Sequence, residues 1–102
     1  MASSAEYLDY VLDLLTDVPE VTVRKMMGEY LLYKDGTLFG GIYDDRLLLK
    51  ITKASATMLA DYPSDFPYEG GGEMILFPEP YDVPLLGEVV DAICADINRR
   101  KG

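Results

Sequence analysis

The spacing of hydrophobic residues predicts one amphipathic helix at each end of the chain. Residues 8–18 place apolar side chains on one helical stripe and aspartates on the opposite one. Ser3 and Glu6 just before them have the spacing of a capping box. A second helical stripe covers residues 86–97, and Pro84 favours a helix start shortly before it. We expect the first helix to end near residue 19.

Between these helices, short apolar segments separated by turn signals predict strands. Asp35-Gly36 is a strong signal for a two-residue hairpin turn, because both positions tolerate positive φ. Asp44-Asp45 is a weaker signal of the same kind. The sequence therefore predicts a three- or four-stranded antiparallel meander, with segments at Val21–Val23, Glu29–Lys34, Thr37–Tyr43 and Arg46–Thr52.

The rest of the chain predicts a short helix and one more strand. Thr52 or Ser55 can cap the helix, and Met74–Phe77 reads as a strand at a sheet edge, because prolines follow it. The predicted order is α-β-β-β-α-β-α in one domain covering residues 1–102. The fold class is α+β, with an antiparallel sheet packed against the N- and C-terminal helices.

Counting outward from the two hairpin turns assigns each strand residue to a face. Two-residue turns place Tyr33 opposite Leu38 and Leu31 opposite Gly40. A bulge at Gly40-Gly41 would swap the faces beyond it. The predicted core face holds Leu31, Tyr33, Leu38, Ile42, Leu47, Leu49 and Ile51. The other face holds Tyr30, Leu32, Lys34, Thr37, Phe39, Gly41, Tyr43, Arg46, Leu48 and Lys50.

This other face mixes aromatic rings with cations, which is typical of a contact surface. Two interpretations stay open: the 62–77 segment covers the face, or a second subunit or a partner protein does. Arg24 and Glu29, which flank Gly28, are either a charged pair for binding or a contact that fixes the turn. The predicted interaction surface is Arg24, Glu29, Tyr30, Phe39, Tyr43, Arg46, Leu48 and Lys50.

Charge and composition exclude several kinds of chemistry. The 18 acidic and 9 basic residues give a net charge of −9, which opposes binding to phosphate backbones. The chain has no histidine and one cysteine, Cys94, so serine and cysteine triads, Cys/His zinc sites and internal disulfides are excluded. We predict no catalytic residues, cofactor or metal.

The same features predict the compartment. No apolar run reaches the about 20 residues that a membrane helix needs. The first residues lack the basic and apolar regions of a secretory signal. A single cysteine suits a reducing compartment. We therefore expect a cytoplasmic protein.

Two sequence blocks carry a resemblance to a known family. Residues 24–33 read R-K-M-M-G-E-Y-L-L-Y and residues 40–50 read G-G-I-Y-D-D-R-L-L-L-K. They closely resemble the TfoX N-terminal domain family, apart from Met27, where an aromatic residue is usual. The resemblance implies a stand-alone domain without established catalytic activity, related to regulators of competence genes whose longer members add a C-terminal helical domain.

Three functions remain as hypotheses. The first is a non-catalytic regulatory or adaptor domain that binds a partner protein or forms a homodimer. The second is a small-ligand-binding domain or an enzyme, with a pocket between the sheet and residues 62–77 and with Arg24, Glu29 and Lys50 as polar contacts. The third is direct binding of nucleic acid, which only a local patch of bases favours (Arg24, Lys25, Arg46 and Lys50) and which we do not expect.

Overall fold

The computed structural model describes residues 3–101, and a six-stranded antiparallel sheet forms its centre. The spatial order of the strands is β1-β2-β3-β4-β6-β5. The strands are β1 (Val21–Met26), β2 (Glu29–Lys34), β3 (Thr37–Tyr43), β4 (Arg46–Leu49), β5 (Ser64–Asp65) and β6 (Met74–Leu76), and the helices are α1 (Ala5–Leu14), α2 (Lys53–Met58) and α3 (Val83–Lys101).

The chain order α-β-β-β-β-α-β-β-α confirms the α+β class and the helices at both ends. The meander has four strands, because the segment at Val21 extends to Met26. Some features differ from the expectations. Helix α1 ends at Leu14 instead of near residue 19, and Ser4 caps it instead of Ser3. The two-residue strand β5 was not predicted, and β6 lies between β4 and β5 instead of at an edge.

Each of the three meander hairpins closes with two residues at positive φ, the type I′ geometry that fits the twist of the strands. The turns at Asp35-Gly36 and Asp44-Asp45 have the two-residue length that the sequence predicts. The third turn is Met27-Gly28, with φ of 53° and 85°. Its methionine gives no turn signal, so the sequence predicted only a bend at Gly28.

A β-bulge in β3 changes the predicted faces of the sheet. Tyr33 pairs with Leu38 as predicted, but Leu32 pairs with Gly40, so Phe39 has no partner. The pairing predicted between Leu31 and Gly40 is therefore wrong. Because β3 contains one extra residue, residues 37–39 and the whole of β2 lie on the faces opposite to those predicted, while residues 40–43 keep theirs.

The bulge therefore moves eight side chains to the face opposite the predicted one. Leu31, Tyr33 and Leu38 do not join the helix-covered core, and Tyr30, Leu32 and Phe39 do. Lys34 and Thr37 face α3, where they contact Asp91 and Asn98. Ile51, also predicted in the core, is 43% exposed.

The main core lies between the sheet and the two terminal helices. Ile42, Leu47 and Leu49 are fully buried there, as predicted. They belong to one cluster with residues of both terminal helices, including Val11 of α1 and Val89 of α3. Thr52 and Ser55 form a capping box that starts α2. Within residues 3–101, no helix is both long enough and apolar enough to cross a membrane.

Candidate functional site

A second, smaller apolar cluster lies on the side of the sheet away from the main core. We call this side the outer face. Its floor is buried: Leu48 is 0% exposed, Tyr43 8% and Leu31 9%. Half-buried apolar side chains pack around that floor: Tyr33, Leu38, Met74 and Leu76.

One part of the outer face is covered by the loop after β5, which Arg46 holds in place. The Arg46 guanidinium donates to the Asp65 carboxylate at 2.7 Å and to the carbonyls of Phe66 and Pro67 at 3.1 and 3.3 Å. The ring of Tyr68, in the same loop, lies 6.2 Å from the ring of Tyr43. The interpretation that the chain covers its own face therefore holds for this part.

Electrostatics keep this anchor charged at neutral pH. The backbone N–H of Phe66 donates to the Asp65 carboxylate at 2.8 Å, and this bond, with the bond from Arg46, lowers the pKa of Asp65. Burial is the main cause that raises the pKa of Tyr43, so its hydroxyl stays protonated. The loop is therefore held by a charged group, and the floor below it is neutral.

A pocket of about 340 Å³ opens between this loop and the sheet. Leu38, Tyr43 and Met74 line it from the sheet, and Tyr68 lines it from the loop. Lys50 adds an ammonium group to the same pocket. Its volume and its mostly apolar lining suit a small molecule or one large side chain of a protein partner.

The outer face carries charges of both signs, since Glu73 lines the pocket together with Lys50. The three ion pairs among the described residues use Lys34, Arg46 and Arg99, so Arg24 and Lys50 have no ion-pair partner within residues 3–101. Arg24 lies opposite Leu31 in the β1–β2 pairing and therefore on the outer face.

Glu29 has a different role from the one its charge suggests. Its carboxylate accepts hydrogen bonds from the backbone N–H and hydroxyl of Ser3, at 3.0 and 2.8 Å, and from the backbone N–H of Asp44, at 3.0 Å. No ion pair joins it to Arg24 among the described residues. Glu29 therefore ties the Asp44-Asp45 turn to the start of α1, which agrees with the turn-fixing interpretation.

The predicted interaction surface is thus corrected at two positions. Tyr30 and Phe39 belong to the main core, on the opposite side of the sheet from the outer face. Tyr43 and Leu48 lie on the predicted side but form its buried floor. The predicted interaction surface lacked Leu38 and Tyr33. The bulge places both side chains on the outer face, and the alternation of polar and apolar residues in these strands does not indicate it.

Other candidate chemistry has structural explanations. Within residues 3–101, no group of three or more cysteine and carboxylate side chains is arranged to hold a metal ion. The Asp45 carboxylate accepts from the backbone N–H of Ser4 at 2.8 Å, which ties its turn to the start of α1. Cys94 is buried, and burial raises the pKa of its thiol. Gly41 allows the Tyr43 ring to lie against the backbone.

Comparisons with known proteins place the chain in a family. The model of the TfoX N-terminal domain matches residues 13–88. A Spirochaeta aurantia protein, described as an uncharacterised 12.7 kDa protein in the trpE 5′ region, is 37% identical over 70 residues. That alignment spans 69% of this chain and 61% of the relative. No solved structure matches the chain significantly. With most of its length matched by the family model, the chain belongs to the TfoX N-terminal domain family.

Proposed function

We propose that this chain is a small non-catalytic regulatory or adaptor domain that binds a partner protein through the outer face. One observation carries the proposal: the face combines half-buried apolar side chains with two cations, Arg24 and Lys50, that have no ion-pair partner within residues 3–101. Apolar centres with charged margins are typical of protein interfaces.

The chemistry of the face defines the partner. An acidic segment of the partner would form ion pairs with Arg24 and Lys50, and an apolar side chain of the partner would fill the pocket beside Leu38 and Met74. A role in competence or transcription regulation, which the resemblance to competence regulators implies, would run through such a protein contact. A buried single cysteine suits the cytoplasm, where we place this function.

Affinity capture with matched variants tests the proposal. Leu38→Asp with Lys50→Glu puts two negative charges on the rim of the pocket. Lys53→Glu is the control for the charge change of Lys50→Glu, because Lys53 is exposed at the start of α2. Proteins captured by wild type are identified by mass spectrometry, and each is purified and titrated directly against all three chains. Circular dichroism establishes that the variants are folded.

We expect the partner to bind wild type and the Lys53→Glu control alike. The double variant should bind at least about tenfold more weakly, because losing one apolar contact costs about 1.5 kcal/mol before charge repulsion is added. The bound partner should also slow amide exchange in β2 and β6. A purified partner that binds all three chains equally would place the contact elsewhere.

The pocket itself favours a second candidate function, the binding of a small anionic ligand. Lys50 supplies the positive charge, and Tyr43 and Tyr68 supply aromatic walls; the Glu73 carboxylate, which also lines the pocket, accepts a hydrogen bond from Ser64. A ligand at 100 times its Kd stabilises the folded chain by about 2.7 kcal/mol. A thermal-shift screen of small carboxylates and phosphates should then give a hit that Lys50→Glu removes and Lys53→Glu keeps. A screen without such a hit contradicts this second function.

A further inference from the structure

The turn between β1 and β2 exposes an apolar and basic tip that shares only Arg24 with the outer face. Met27 is 96% exposed and Met26 51%, and the exposed Arg24 and Lys25 precede them. We call these four residues the methionine tip. Neither of its cations pairs with a carboxylate among the described residues.

The rest of the fold holds this tip in place. The backbone N–H of Ser3 donates to the carbonyl of Gly28 at 3.1 Å, inside the turn. Glu29, the next residue, is held through its carboxylate by Ser3 and Asp44. Met27 keeps a left-handed φ of 53°, which costs energy for a non-glycine residue and is maintained only by its surroundings. A fixed apolar anchor loses little entropy on binding.

A complementary surface lies on α1. Tyr10 is 45% exposed, and its ring packs edge-on against Tyr81 at 5.7 Å. The hydroxyls of Tyr7 and Tyr81 lie 2.7 Å apart. We call these three residues the tyrosine patch. Methionine sulfur and cationic side chains both make favourable contacts with aromatic rings.

Carboxylates border the tyrosine patch. Glu6 and Asp13 lie on either side of Tyr10 along one face of α1, four residues before it and three after it. Both are exposed, and neither forms an ion pair among the described residues. Burial raises the pKa of both Tyr7 and Tyr81, and the charge of nearby Glu79 raises them further.

The tip and the patch occupy the same end of the molecule. Ser3 contacts the tip through Gly28 and directly precedes Ser4, the residue that caps α1. Tyr10 lies six residues after Ser4, which is about 9 Å along a helix axis. Two copies related by a twofold axis can therefore exchange both contacts at once, and such an assembly closes as a dimer.

We propose that the methionine tip of one copy docks on the tyrosine patch of a second copy, giving a weak, twofold-symmetric homodimer. Met27 packs on Tyr10, and Arg24 and Lys25 face Glu6 and Asp13. The charges on the two patches are opposite, although the whole chain is acidic, and at about 0.1 M salt the repulsion between two whole chains is screened beyond about 10 Å.

Three variants test the contact by sedimentation equilibrium from micromolar to millimolar concentration. The first variant reverses the charge of the methionine tip with Arg24→Glu and Lys25→Glu. The second reverses the charge beside the tyrosine patch with Glu6→Lys and Asp13→Lys. The third is Met27→Asn, which creates Asn-Gly, the preferred type I′ pair, and so removes the anchor without disturbing the turn. Circular dichroism and urea unfolding establish that each variant is folded.

We expect wild type to dimerise and each variant to associate at least about tenfold more weakly. Mixing the two charge-reversed variants should restore a heterodimer, because each mixed contact again joins opposite charges. Met27→Asn should leave stability unchanged or higher. Wild type that stays monomeric at millimolar concentration, or reversed variants that do not recombine, would overturn the proposal.

The outer face is tested separately by Lys50→Glu, which lies outside both the tip and the patch. We expect this variant to dimerise like wild type. Loss of the dimer in Lys50→Glu alone would show that copies associate through the outer face, which overturns the tip contact and leaves the proposed protein-binding face intact. If Lys50→Glu loses partner capture but still dimerises, the result shows that the outer face and the tip contact act independently.

Discussion

Replacing Phe39 with alanine is expected to remove much of the stability of the fold, and replacing its neighbour Leu38 is not. Phe39 is 0% exposed and lies in the main core. Phe39→Ala should therefore lower the free energy of unfolding by about 3–5 kcal/mol, through lost apolar burial and the cavity left behind. Leu38 is half-buried on the outer face, and Leu38→Ala should cost about 1–2 kcal/mol, roughly half of a fully buried leucine.

These costs can be measured by urea unfolding of the two variants beside wild type. A chain of 102 residues has a free energy of unfolding of about 5–15 kcal/mol, so Phe39→Ala should leave a marginal fold. Phe39→Leu, which keeps most of the apolar volume, serves as the milder control if the alanine variant does not fold. A larger loss for Leu38→Ala than for Phe39→Ala would refute the bulge and the assignment of faces built on it.

Three further results follow from single contacts. Gly41→Ala should destabilise the chain by about 1–3 kcal/mol, because a Cβ there would lie 2.7 Å from the Tyr43 ring; urea unfolding measures this. Arg46→Met should release the loop that its guanidinium holds and speed amide exchange in residues 66–73 more than elsewhere, and a uniform increase over the whole chain would contradict this local role. The backbone N–H of Ala54 is the main cause that lowers the pKa of Asp96, so this carboxylate stabilises the fold above its unfolded pKa, near 3.8, and loses that effect as the pH falls through its lower folded value. Asp96→Asn should therefore be less stable than wild type at neutral pH, and the difference should disappear in acid.

Local signals in the sequence were enough for the larger elements. The helical stripes, the Asp35-Gly36 turn and the Thr52 cap each depend on neighbouring residues, and the structure has all three. The Met27-Gly28 turn was missed, because methionine has no intrinsic preference for positive φ and the geometry is maintained by Ser3 and Glu29. Strand β5 was missed because two residues carry no periodic pattern.

The prediction of the candidate site depended on a shift of one residue in the pairing of β2 with β3. The sequence showed that glycines at 40 and 41 could accompany a bulge, but it did not show which strand pairing the packing would favour. The missing Cβ of Gly40 makes room for the backbone carbonyl of Leu48 on the neighbouring strand β4, a packing contact that the residue type alone does not reveal. Assignments beyond the bulge, such as Tyr43 on the outer face, were therefore correct, and assignments before it, such as Phe39, were not.

Apart from Arg24, which belongs to both, the two proposed surfaces lie at opposite ends of the same strands, and this separation gives them a joint consequence. Met26 and Met27 lie at one end of the β1–β2 hairpin, and Leu38 and Lys50 lie at the other end of the meander, about 16 Å away along five residues of strand. A dimer formed at the tip therefore leaves both pockets open. A partner that carries two acidic segments would bind such a dimer with the higher effective concentration of a linked pair, so an individually weak outer face can still hold its partner firmly. Met27→Asn should then weaken capture of a two-segment partner and leave the binding of a single segment unchanged.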